Sequence, residues 1–179
     1  MKNLILCFAF LFCADNLIAQ KMLTPTDDGS KVHFVIRNFG IKTGGDLSGL
    51  KGSIKFDMSS VQTWAFDVSV ESSTINTDND TRDGHLKKAE YFDAKKYTTI
   101  HLISSKIQTT EKAGVYLFVG SLTIKGVTKP IQFPFKVNKS KDGYLFTGDF
   151  EINRRDFGVG SSSVSLADNL KVSLVVFAK

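Results

Sequence analysis

Residues 64–71 read Trp64-Ala65-Phe66-Asp67-Val68-Ser69-Val70-Glu71. In an extended chain Trp64, Phe66, Val68 and Val70 share one face, and Asp67, Ser69 and Glu71 share the other. A strand with one dry side and one wet side suits an antiparallel sheet and argues against a parallel sheet buried on both faces.

The same period runs outward from this strand. Upstream, Val32, Phe34 and Ile36 alternate with Lys31, His33 and Arg37, and Ile54, Phe56 and Met58 alternate with Ser53, Lys55 and Asp57. Between them Gly40, Gly44, Gly45, Gly49 and Gly52 mark tight bends or bulges where a sheet curls. Downstream, Ile100 and Leu102 open a strand reaching about residue 107. Residues 114–125 are apolar on both faces; Gly120, Leu122 and Ile124 are assigned inward. Ile131, Phe133, Phe135 and Val137 alternate with Gln132, Pro134 and Lys136, and Pro134, which has no N–H to donate, requires an edge or a bulge. Asp142-Gly143 signals a hairpin turn. Tyr144, Phe146, Phe150 and Ile152 follow on one face, with Gly148 leaving room among them. The last strand, 170–178, carries Val172, Leu174 and Val176 on one side.

This pattern predicts an all-β fold of eight antiparallel strands, as a sandwich or a closed barrel. Closure removes exposed edges, and an eight-stranded antiparallel barrel has an interior just large enough for one small ligand. The one long break is the insert after the third of these strands, residues 72–92, SSTINTDNDTRDGHLKKAEYF. Asp80 or Thr81 can cap a short helix through Leu86 to Glu90, with Asp83 in its first turn and Lys87 and Lys88 nearer its end. Gly84 weakens that helix by ~1 kcal/mol relative to Ala.

The chain opens MKNLILCFAFLFCADNLIAQ. Lys2 followed by the apolar run from Leu4 to Ala14 has the form of a signal peptide, residues 1–19, cleaved near Ala19. The run is too short to span a bilayer. A buried N-terminal helix is the alternative; a lipoprotein reading of Cys13 is disfavoured by bulky Phe12 before it. Cys7 and Cys13 both lie in this segment, so the mature domain, residues 20–179, is expected to be exported, periplasmic or secreted, and free of disulfides and thiolate sites. About 160 residues can form a core without such staples.

The formal net charge is +5 and is spread out, with no run of like charges that would mark a nucleic-acid arm. It is compatible with an anionic ligand, with transient contact to a membrane surface, or with plain solubility. His33, His85 and His101 lack zinc-site spacing. Asp78 and Asp80 imitate a calcium loop, but Arg82, Asp83 and Ala89 occupy positions that loop cannot give them. No GxSxG elbow is present. Asp83 and His85 form the one conceivable acid–base pair, although at a helix start such residues more often cap and solvate. The inward aromatics Phe34, Phe56, Trp64, Phe66, Phe133, Phe135, Phe146 and Phe150 are the more informative feature. Periodicity alone leaves open whether they fill a core or line a cavity.

Several motifs together resemble the YceI-like family. They are Ser73-x-Ile75-x-Thr77, Arg82-Asp83-x-His85-Leu86, Tyr91-Phe92-Asp93, Lys96-Tyr97, the run from Gly120 through Leu122-Thr123-Ile124-Lys125-Gly126-Val127-Thr128, Arg155-Asp156-Phe157-Gly158 and the closing Val176-Phe177-Ala178-Lys179. Thr98, Leu102 and Leu47 depart from the family's usual Pro, Phe and aromatic residue. The resemblance implies an exported, eight-stranded, lipocalin-like barrel that binds an amphiphile with a long isoprenoid or acyl tail. It implies no enzyme, cofactor or metal. Under it, the cavity lining is expected at Phe34, Ile36, Phe56, Trp64, Phe66, Val68, Leu122, Phe133, Phe135, Phe146, Gly148, Phe150 and Leu174. Arg82, Asp83, His85, Arg154 and Arg155 are then the head-group or gate residues, unless the arginines pair with Asp83 and Asp156. A filled barrel that binds a partner by its surface in a stress response is the alternative function.

Overall fold

The structure, a computed structural model, describes residues 21–179; the segment expected as a signal peptide, with Cys7 and Cys13, lies outside the described residues. Ten strands form one antiparallel sheet: β1 (Lys21–Leu23), β2 (Pro25–Asn38), β3 (Ile41–Leu47), β4 (Lys51–Phe56), β5 (Ala65–Glu71), β6 (Thr99–Thr109), β7 (Val115–Ile124), β8 (Val127–Lys139), β9 (Tyr144–Asn153) and β10 (Leu166–Ala178). Among the described residues one α-helix, α1 (Asp80–Leu86), lies between β5 and β6.

The sheet order is β1-β4-β5-β6-β7-β8-β9-β10-β2-β3. From β4 to β10 the chain is a plain meander, each strand hydrogen-bonded to the next. The sheet curls into a half-barrel, and the chain itself links its two sides. Leu23 at the end of β1 pairs with Ile54 of β4, and two residues on Pro25 pairs with Ala178 of β10. Between them Thr24 and Lys179 exchange backbone hydrogen bonds of 2.8 and 3.2 Å. One end of the wall is therefore continuous through Thr24. At the other end β3 fills the space beside β2. Its backbone joins the insert through Asp46 N–H to Asn76 O (2.8 Å) and Asn76 N–H to Asp46 O (3.0 Å), and Ser48 O, just past β3, accepts from Glu71 N–H (2.9 Å).

The expected eight-stranded barrel is corrected to this ten-stranded half-barrel. The strands not foreseen are β1 and β3. β1 has only three residues, too few for a period to register. β3 contains Gly44 and Gly45, which read as bends in sequence. Gly45 faces Phe34 across the ladder, and a Cβ there would stand 2.5 Å from the Phe34 ring and 2.7 Å from Thr77 Cγ2. The glycine is present because an aromatic ring covers its place in the strand.

Helix α1 is capped by Asn79, whose Oδ1 accepts from Arg82 N–H at 2.9 Å, one residue before the caps expected. It ends at Leu86 rather than Glu90. There the chain folds back, with Phe92 N–H bonding Leu86 O and Ala94 N–H bonding Lys87 O, both at 3.0 Å. That turn carries Tyr91 and Phe92 onto a small cluster of Leu122, Ile124, Phe157 and Val159.

The interior is solid at one end and hollow at the other. In the solid half Phe118 stacks on Phe133 (centroids 4.8 Å apart), and Phe66 meets Phe118, Phe135 and Phe146 edge-on at 5.4–6.0 Å. Phe56 lies against Trp64 (4.4 Å) and Tyr144 (4.5 Å). Along single strands the inward side chains shrink: Phe66 gives way to Val68 and Val70 on β5, and Phe118 to Leu122 and Ile124 on β7. Truncating Phe118 to Ala is expected to cost about 3–5 kcal/mol in urea unfolding, because the rings around it cannot collapse. Leu174→Ala, beside the hollow half, is expected to cost less than about 2 kcal/mol, since it loses fewer contacts. Equal losses for the two variants would contradict this division of the interior.

Candidate functional site

The hollow half is a cavity of about 640 Å³, open at one end. Its wall is mainly aliphatic: Val68 and Val70 from β5, Leu102 from β6, Leu122 from β7, and Val172 and Leu174 from β10. Phe150 forms part of its floor and rests on Phe133 of the solid half at 4.7 Å. This volume and lining are typical of small-molecule sites.

Of the lining expected from sequence, Phe34, Ile36, Val68, Leu122, Phe150 and Leu174 border the cavity. Phe56, Trp64, Phe66, Phe133, Phe135 and Phe146 do not; they are the packed aromatic block. Gly148 opens no space either, since a Cβ there would meet the Phe133 ring at 3.0 Å and Phe135 Cβ at 3.2 Å. All of these residues point inward, and their period is the same whether they fill or line. Leu47 and Leu102, where the resemblance led one to expect aromatic residues, both line the cavity. Val172 and Val176 lie on the inward face already visible in sequence. The serines of residues 161–165 at the mouth carried no readable signal, because a loop has no period.

The mouth is built by the insert, the β2–β3 hairpin and the serine loop, and its polar groups sit there. Thr77 is the central residue. Its backbone N–H (3.0 Å) and hydroxyl (2.5 Å) both donate to the buried carboxylate of Asp83. Its Oγ1 accepts from Arg82 Nε (2.7 Å) and its carbonyl from Arg82 Nη2 (2.6 Å). Arg82 and Asp83 therefore meet through Thr77 rather than as the ion pair considered from sequence. Arg82 borders the cavity and, among the described residues, its Nη1 makes no hydrogen bond and no carboxylate lies within ion-pair distance. His85 stands exposed at the rim, and Asp83 is committed to Thr77, so the two form no acid–base pair. His33 lies on the outer face of β2, opposite Asp46 of β3, whose Oδ1 holds it at 2.5 Å.

Arg154 also touches the cavity but is 4% exposed, and four N–H···O contacts occupy it. They run to Ala167 O (3.0 Å), Val159 O (2.9 Å), Leu166 O (3.4 Å) and Asp168 Oδ1 (2.8 Å). Its carboxylate partner is Asp168, not Asp156, and its task is to pin the serine loop. Arg155 lies outside the cavity, half exposed, 3.5 Å from Asp168. Of Arg82, Arg154 and Arg155, Arg82 is thus the one that borders the cavity with a donor still available.

Thr77→Val keeps the shape and deletes the hydroxyl that serves both Asp83 and Arg82. It is expected to lower stability by about 1–3 kcal/mol in chemical denaturation, the cost of leaving a buried charged acceptor short of a donor. A variant as stable as the parent would remove Thr77 from this central role.

A family model for the YceI-like domain matches residues 24–178. A UPF0312 protein of Pseudomonas fluorescens is 30% identical over 161 residues, covering 84% of this chain and 81% of its own. BcnA of Burkholderia cenocepacia has a similar structure, with a TM-score of 0.79 at 23% identity over 84% of this chain and 96% of that one. A polyisoprenoid binding domain from Saccharophagus degradans, implicated in plant cell wall breakdown, gives 0.69 at 12% identity over 90% and 99% of the two chains. These two likenesses establish the fold. With the family model spanning nearly every described residue, the chain belongs to the YceI-like family.

Proposed function

We propose that this protein is a non-catalytic carrier or sequestering protein for a long-chain amphiphile: a polyisoprenoid, an isoprenoid quinone or a fatty-acid-like lipid. The observation that carries this reading is the aliphatic cavity of about 640 Å³ with a polar mouth. The shared fold with a polyisoprenoid binding domain supports it. Each methylene moved from water into such a wall contributes up to ~0.8 kcal/mol, so the tail supplies most of the affinity. Ordering both partners takes part of that back. The head group then orients the ligand at the mouth, where Arg82 can donate from Nη1 to a phosphate or quinone oxygen.

Native mass spectrometry of the purified protein is expected to find lipid bound. After delipidation, titration with a prenyl phosphate is expected to restore it. Val172→Trp with Leu174→Trp fills the hollow half and abolishes uptake, whereas Phe56→Leu, in the solid half, leaves it intact. Arg82→Gln lowers affinity for the prenyl phosphate about tenfold or more, from the loss of hydrogen bonds to a charged group, and changes binding of the prenyl alcohol little. Unchanged uptake by the filled variant would sink the reading. A parent protein that neither carries nor takes up lipid would favour a surface-binding partner protein instead.

The carrier is read as working outside the cytoplasm, periplasmic or secreted, with residues 1–19 removed. N-terminal sequencing of the protein from the exported fraction is expected to begin near Gln20. An intact Met1 would overturn this.

A further inference from the structure

The β2–β3 turn is made of Phe39 (φ 50°) and Gly40 (φ 77°). Two positive φ values in a two-residue hairpin favour Asn or Gly, and for a bulky residue the conformation is unfavourable. Phe39 gains no burial in return, being 80% exposed. Ile41, next in the hairpin, is 71% exposed, and Val164 of the serine loop is fully exposed. The three belong to one place: Phe39 N–H donates to Ser165 O at 2.8 Å, tying the hairpin tip to the serine loop. Their neighbours Asn38, Thr43, Ser163 and Ser165 border the cavity. The apolar tip is therefore part of the rim through which the cavity opens.

Two cations stand directly behind it. Arg37 and Lys42 are exposed cross-strand partners, and neither is in an ion pair among the described residues. The nearby carboxylates are engaged: Asp46 with Lys31 and His33, Asp168 with Arg154 and Arg155. Apolar side chains at the tip with unpaired cations one step back fit a surface whose phosphates lie outside its acyl chains.

We propose that this tip docks the protein on an anionic bilayer, with Phe39, Ile41 and Val164 entering the boundary between head groups and acyl chains and Arg37 and Lys42 meeting lipid phosphates. The cavity mouth then faces the membrane, and an amphiphile passes between bilayer and barrel without its tail crossing water. This rests on the amphiphile-carrier reading.

The test is co-sedimentation of the ligand-free protein with vesicles of phosphatidylglycerol and phosphatidylcholine in equal parts. The protein is expected to bind them, more weakly in high salt and more weakly on phosphatidylcholine alone. Phe39→Asn, Ile41→Thr and Val164→Ser combined, with Asn suited to the turn, lower vesicle affinity by at least about tenfold. The same variant takes up prenyl phosphate in vesicle-free solution as the parent does, and loads from labelled vesicles more slowly. Failure of the parent to bind vesicles, equal binding by the variant, or self-association through the tip in analytical ultracentrifugation would each overturn the proposal. Since vesicle binding and vesicle-free uptake are read separately, loss of the docking proposal is distinguishable from loss of the carrier reading.

Discussion

The packing of Phe118 on Phe133, with Phe66 and Phe135 closing around them, is the interaction on which the rest of this structure depends. A hollow apolar interior gives up dispersion contacts along its whole lining, and each such void destabilises a fold. Concentrating large rings at one end supplies buried area and ring–ring contacts where they are densest. The other end can then be lined by smaller side chains and stay open. The size gradient along β5 and β7 is the expression of that division in sequence.

The open end needs a different kind of support. β2 and β3 lean over the cavity, and the half-barrel is finished there by the insert. The backbone pair Asp46–Asn76 and the contacts of Ser48 attach the insert to β3. Thr77 then fixes α1 by holding Asp83 and Arg82 together. Arg154 does the same for the opposite rim through the carbonyls of residues 159–167 and the carboxylate of Asp168. Both rims are thus held by polar side chains against backbone. That leaves the aliphatic wall free of polar duties. It also gives the charged insert a structural part, since Thr77 holds α1 in place while Arg82 borders the cavity.

The alternation of β5, β9 and β10 was legible because each buries one face and wets the other, and a period of two is visible in a single strand. The position of α1 within residues 72–92 followed from the cap candidates Asp80 and Thr81 and from Asp83 in the first turn, in a stretch without that period. β3 was illegible for a specific reason. Gly44 and Gly45 act as strand residues only because the His33 and Phe34 rings lie over them, and that cover comes from another strand. The partners of Arg82 and Arg154 were illegible for a related reason. Sequence neighbours were considered, whereas the true partners are a threonine five residues back and an aspartate fourteen residues on.

By itself the sequence determined the class of fold, the inward and outward faces of most strands, and the residues that mark the family, all of which are written in local pattern. It determined too that large apolar groups would face the interior. Only the tertiary structure decided which of those groups fill and which line. Phe133 and Phe150 are indistinguishable by period, and they differ because curling of the sheet brings Phe118 onto the first and leaves the other facing empty space. Inside and outside are local properties of a strand; solid and hollow depend on what several distant strands place opposite one another.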